Sequence, residues 1–145
     1  MRRLPLGALA LGAPPVPVIN TFSLRTDPSG FDMAASRLLA AIREHAVTAA
    51  LIHNDVDAIM LLQRLRAAGV QVPEEFSIVA YDDEAAGTAD PPFTAAQPPK
   101  REIGLTTARM LLGRLGDRRD AWSPRWQVNL MPRLRIRDSC WPLGQ

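Results

Sequence analysis

This sequence predicts an α/β fold, an open parallel sheet flanked by helices. Three observations carry that prediction. Short β-prone runs alternate with longer segments of helical apolar spacing, the order that crossover helices impose on a parallel sheet. Two of the β-prone runs, residues 49–53 and 76–81, lead straight into polar pairs, Asn54-Asp55 and Asp82-Asp83. The chain has 145 residues, 47% of them apolar, which suits one domain with a real core.

The elements follow in order. Residues 1–17 are rich in Pro, Gly and Ala and read as an irregular lead-in. Their two Arg and apolar run resemble a short signal peptide, but a Pro and two Gly interrupt the run. It is too short to span a membrane, and no other segment approaches that length. Residues 18–24 alternate loosely and predict a strand. The turn Thr26-Asp27-Pro28-Ser29-Gly30 follows, with Asp27 or Ser29 as a helix cap.

A helix is expected over residues 33–44 from the spacing of Met33, Ala34, Leu38, Leu39, Ala41 and Ile42. Residues 48–53 predict a short buried strand. Asn54 or Asp55 then caps a helix over 56–68, because a side-chain oxygen there accepts from the first free amides. Gly69 stops that helix. The next strand covers 76–81, and 84–89 predict about one helical turn. Residues 93–97 are extended, stopped by Pro98-Pro99. A strongly amphipathic helix is expected over 103–115 and a polar loop over 116–123. Residues 127–137 predict a strand pair, or one strand broken near Pro132. Such a sheet should be covered on both faces.

Charge excludes little but points away from nucleic acid. The net charge is +2 and the pI about 9.3, from a small Arg excess. Arg114, Arg118, Arg119 and Arg125 come nearest to a cluster. Arg133, Arg135 and Arg137 alternate and would share one face of a strand, read as a solvated face. The single cysteine, Cys140, excludes an internal disulfide and fits a reducing compartment.

The candidate site lies at the strand ends. In open α/β sheets, ligands bind beyond the carboxyl ends of parallel strands. Asn54 offers both a donor and an acceptor, and ionised Asp82 accepts several hydroxyl donors. Each also has a plain structural use, in capping or turn chemistry. The Asp82-Asp83 pair would suit acid/base catalysis, but no His lies near it in sequence. The site also lacks the ligand density a metal needs. His53 reads as a structural histidine, and Trp122, Trp126 and Trp141 as cover for a sheet edge. Dinucleotide, P-loop and nucleophile-elbow signatures are missing, so no cofactor is expected.

Several stretches together resemble the C-terminal part of the LacI/GalR-type family of bacterial transcription regulators. They are Ser29-Gly30-Phe31, Thr48-Ala49-Ala50 with Asn54-Asp55 and Ala58, and Gly69 before Val72-Pro73-Glu74-Glu75. Ser77-Ile78-Val79-Ala80-Tyr81-Asp82-Asp83, Pro91-Pro92-Phe93-Thr94 with Gln97-Pro98, Gly104, and Leu134 to Ser139 complete the set. The resemblance covers residues 29–139.

It implies a type I periplasmic-binding-protein-like fold, with two α/β lobes and a small effector between them. It divides the chain into a lead-in (1–17), a partial effector-binding domain (18–139) and a tail (140–145). Within the domain, 18–92 would be the C-terminal lobe, 93–126 a remnant of the N-terminal lobe, and 127–139 the returning strand. Asn54, Asp82, Gln97 and Arg25 match effector-contacting positions, and the helix after Asn54-Asp55 matches a dimer interface. Ala80 stands where the family has a glycine, and Thr94-Ala95 where it has Thr-Thr. A recognition helix for DNA and most of the N-terminal lobe find no match.

The resulting expectation is a cytoplasmic, non-enzymatic, effector-sensing domain with a sugar-like ligand. Intact relatives would be homodimers. This chain alone would not bind operator DNA specifically and would respond to ligand weakly or not at all. An exported sugar-binding protein of a transporter is the alternative, and a small hydrolase using Asp82 and Asp83 is a third reading.

Overall fold

The computed structural model describes residues 28–116 and 124–141. The expected strand at 18–24, the cap at Asp27, the loop at 117–123, and Arg25, Arg118, Arg119 and Trp122 lie outside the described residues. The chain divides into two compact units, Met1–Ala46 and Val47–Gln145.

In the first unit, helix α1 spans Pro28–His45. It starts earlier than the apolar spacing suggested, because a proline is accommodated in the first helical turn, where no intrahelical N–H bond is due. Phe31, Ala34, Ala35, Leu38 and Ala41 form its buried side, while Met33 is 51% exposed.

The second unit holds a four-stranded sheet in the order β1-β2-β3-β4. Strand β1 is Ala49–Ile52, β2 Ser77–Tyr81, β3 Thr94–Gln97 and β4 Arg133–Arg135. β1, β2 and β3 run parallel, as expected. β4 pairs antiparallel with β3, so the sheet is mixed. The strand expected over 127–137 shrinks to three residues. Pro132 lacks an N–H for the ladder, and residues 124–132 take no regular structure.

Helix α2, Asp55–Ala67, connects β1 to β2 and lies against both. Asn54 caps it: its Oδ1 accepts from the Asp57 amide at 3.1 Å. At the other end Gly69 adopts φ +84°, open to glycine at little cost. Its amide donates to Arg66 O, and the Val70 amide to Leu65 O, both at 3.0 Å, a Schellman closure. Leu61, Leu62 and Leu65 are buried along α2.

Across the strands, Ile52, Ala80 and Ala95 stand in one register row, all buried. Phe76 and Phe93 are fully enclosed. The methyl of Ala80, where a glycine was expected, is accommodated in this row with no exposure. The other side is less covered than a two-faced burial would require: Leu51 is 68% exposed and Val79 half-buried.

Helix α3 spans Lys100–Gly116. It begins three residues before the expected start, directly after Pro98-Pro99, with the Ile103 amide donating to Pro99 O at 2.9 Å. The one-sided amphipathic pattern expected of it is not met. Met110, Leu111 and Leu112 alone span about 200° of its circumference, and no residue of α3 is buried.

Residues 139–141 are bound to the sheet. Ser139, fully buried, accepts the Thr94 amide at 2.9 Å and donates to Ile78 O. The Ile78 amide donates to Ser139 O at 2.9 Å, and the Cys140 thiol reaches Ile78 O at 3.4 Å. Cys140, which the resemblance assigns to the tail, is thus tied to β2. Trp141 is 59% exposed and Trp126 75%, so the described tryptophans leave most of their surface uncovered. Among the described residues no helix is long and apolar enough to cross a membrane.

Candidate functional site

The carboxyl ends of β2 and β3 open into a cleft of about 560 Å³. Asp82, Glu84, Gln97, Lys100 and Arg133 supply much of its polar lining, and Pro98, Pro99 and Met131 an apolar part. The parallel register that pairs Tyr81 with Ala96 brings Asp82 and Gln97 to one rim, and the Asp82 amide donates to Ala96 O at 3.0 Å.

Asp82 and Asp83 both have left-handed backbone, with φ of 101° and 56°. Non-glycine residues rarely adopt it, and it costs about 1–3 kcal/mol each unless the surroundings impose it. Here the surroundings do. The Asp83 side chain, 3% exposed, lies between two guanidinium groups. Its Oδ1 is 2.7 Å from Arg137 Nη2, an ion pair whose angle falls outside hydrogen-bond geometry, and its Oδ2 is 3.8 Å from Arg135 Nε. Arg137 in turn donates to Phe93 O at 2.7 Å. Arg133 Nε donates to Gln97 Oε1. The three alternating arginines are therefore not a free solvated face. Each meets a strand-tip side chain of β2 or β3.

Lys100, in the first turn of α3, joins the rim. Its Nζ lies 2.6 Å from Glu84 Oε1 and 3.4 Å from Asp82 Oδ1. The hydrogen bond to Glu84, aided by the charge of Asp82, holds its pKa above the ordinary lysine value. Sequence reasoning missed Lys100 because Pro98-Pro99 was read only as a strand stop. A proline at or just before the first helical position, with an acidic residue such as Glu102 in the first turn, is also a helix-start signal.

Asn54 and Asp55 divide the two uses foreseen for them. Asn54 is half-buried and caps α2; it lies two residues beyond Ile52, as Asp82 lies two beyond the register partner Ala80. It is therefore at the same edge of the sheet, but it is not among the cleft-lining residues. Asp55, 2% exposed, reaches across to the loop after β2. Its Oδ2 accepts from the amides of Glu84 and Ala85 at 2.6 Å and of Ala86 at 3.2 Å. Burial alone would push its carboxyl up. The amides of Ala85, Glu84, Ala86 and Val56 outweigh that and hold its pKa below the usual aspartate value. A 3₁₀ turn, Ala86–Thr88, completes the loop where a helical turn was expected.

His53 is exposed, and its ring stacks on Tyr81 at 5.0 Å between centroids. Among the described residues no group of three or more His, Cys, Asp or Glu side chains could hold a metal ion.

A sheet with parallel strands, polar strand tips and a cleft at their carboxyl ends has a match among known families. Residues 7–140 match the family described as periplasmic binding protein-like domain. The chain belongs to that family.

Its sequence relatives are regulators. The HTH-type transcriptional repressor PurR of Aliivibrio fischeri is 33% identical over 86 residues, 59% of this chain and 26% of that protein. PurR of Vibrio vulnificus is 32% identical over 108 residues, 74% of this chain and 31% of that protein. Solved structures agree. A LacI family transcriptional regulator from Enterococcus faecium with bound ribose has TM-score 0.62 and 29% identity, over 82% of this chain and 42% of that one. The transcriptional regulator CelR in complex with cellobiose has TM-score 0.69 and 28% identity, over 91% of this chain and 39% of that one. The chain therefore spans about a quarter to two fifths of the length of these relatives.

Proposed function

We propose that this chain is the effector-sensing part of a LacI-type transcriptional regulator, and that its effector is a carbohydrate-like small molecule held at the strand-end cleft. The observation that carries this reading is the cleft lining. Asp82, Glu84, Gln97, Lys100 and Arg133 bring acceptors and donors to one opening. A polyol is both donor and acceptor at every hydroxyl, so it needs that mixture. A sugar lacking one hydroxyl leaves a polar group unpaired, which is how such a site discriminates. Relatives with bound ribose and cellobiose support the ligand class.

In this reading Asp82 and Gln97 contact the effector directly. Asn54, at the same edge but outside the cleft lining, meets only a ligand that extends past the cleft, through the amide nitrogen its cap does not use. Binding shifts a two-state equilibrium by its differential affinity for the two states. The domain is non-enzymatic and cytoplasmic. Specific binding of operator DNA is not expected of this chain alone, and in intact relatives the helix matching α2 would be the dimer interface; on α2, Val56 and Met60 are about half exposed. An exported sugar-binding protein would share the fold, but regulators among the relatives favour the first reading.

Titrating the full chain with ribose, cellobiose, sucrose and glucose, followed by NMR, tests this. Weak binding is expected, with shifts at Asp82, Gln97, Lys100 and Arg133 that Asp82→Asn diminishes. Cleft signals that stay still with all four sugars overturn the proposal.

A further inference from the structure

Asp55 stands outside the cleft yet controls its most unusual backbone. The loop from Asp82 to Ala86 leaves β2 with two consecutive left-handed residues, Asp82 and Asp83. Two ties hold it. On one side the sealed Asp83 carboxylate meets Arg137 at 2.7 Å. On the other, one oxygen of Asp55 gathers the amides of three consecutive residues, Glu84, Ala85 and Ala86. A single oxygen serves three donors well when it carries charge. Asp55 is buried, belongs to α2, and does not line the cleft. The residues it restrains do: Glu84 holds Lys100, and Lys100 sits 3.4 Å from Asp82.

We infer that Asp55 is a positioning residue for effector recognition, setting Asp82, Glu84 and Lys100 in place by anchoring the loop amides to the start of α2. The inference rests on the effector reading of the cleft. Without the anchor, Asp82 and Asp83 relax toward ordinary backbone, and the Asp82 carboxylate leaves the rim. The same tie links the cleft to α2, so a ligand that tightens the loop also tightens the helix start.

The test is a double-mutant cycle on the full chain, with ribose and cellobiose as probes and NMR as the readout. Asp55→Asn keeps the size of the side chain and removes its charge. It is expected to weaken binding about tenfold, the scale of a lost charged hydrogen bond. In an Asp82→Asn background the same change is expected to cost less than about twofold, because residues acting through one another are not additive. A merely structural role for Asp55 would cost the same in both backgrounds, and that result overturns the inference. Amide exchange at Glu84, Ala85 and Ala86 should also quicken in Asp55→Asn, and unchanged rates overturn it independently. Should Asp55→Asn not fold, Asp55→Glu keeps the charge, displaces it by one methylene, and is read in the same way. Should the parent chain bind neither sugar, the effector reading fails by itself. Exchange at the three amides then still decides whether the anchor exists.

Discussion

Helices α2 and α3 are close in length and both rich in Leu, yet one is buried and the other is not. α2 places Leu61, Leu62 and Leu65 at 3% exposure or less. α3 leaves Leu111, Leu112 and Leu115 between 57% and 73% exposed and buries nothing. The difference is not helix formation, since both form. It is that α2 has β1 and β2 to lie on, and its ends are closed by a side-chain cap and a glycine turn. Apolar content says that a helix wants cover; it does not say that the cover is supplied. A helix apolar around much of its circumference asks for burial on more than one side.

That contrast can be broken by mutation. Leu62→Ala, deep in α2, is expected to destabilise the chain by about 2–5 kcal/mol in urea unfolding, for the lost transfer energy and the cavity left behind. Leu112→Ala in α3 should stay within about 0.5 kcal/mol, the range of exposed substitutions. Equal losses at the two sites would mean that α3 is covered in solution.

The ends of α2 sharpen the comparison. Asp55→Asn is expected to cost about 2 kcal/mol at neutral pH, because three loop amides, that of Ala86 buried, lose an ionised acceptor. The sign in acid follows from the lowered pKa in the fold. The stabilisation is whole above the unfolded aspartate pKa of about 4 and is lost as pH falls through the lower folded value. Parent and Asp55→Asn stabilities should therefore converge below about pH 4. Parallel curves throughout acid would refute this account of the carboxylate.

The smallest effect belongs to the cap. Asn54→Ala should cost about 1 kcal/mol, read as a lower denaturant midpoint with an unchanged slope. Asn54→Asp, which keeps the acceptor, should recover most of it. If it does not, the Asp57 amide bond is not what Asn54 contributes.

Much of this fold was legible because its signals are local. The strands ending at Ile52 and Tyr81, the helix between them and its Gly69 stop all follow from period, β-branching and turn chemistry. Asp82 at a strand tip was legible too, since ligands gather at the carboxyl ends of parallel strands, whereas Gln97 was offered only by the family resemblance. Other parts were not. Lys100 was hidden by a misplaced helix start. Arg133, Arg135 and Arg137 looked like a solvated face because their partners, Gln97 and Asp83, come from distant strands. Asp55 looked like a second capping choice for α2 because its acceptors' donors lie about 30 residues further on.

By itself, then, the amino-acid order determined the alternation of strands and helices and the polar residues at the strand tips. Periodicity and capping act over three or four residues, so they survive in a one-dimensional reading. Only the tertiary structure decided that β4 runs antiparallel, that Asn54 caps while Asp55 reaches across, and that Lys100 joins the rim. A hydrogen bond or ion pair needs its two groups within about 3–4 Å, and which distant groups come that close depends on how the strands are laid side by side.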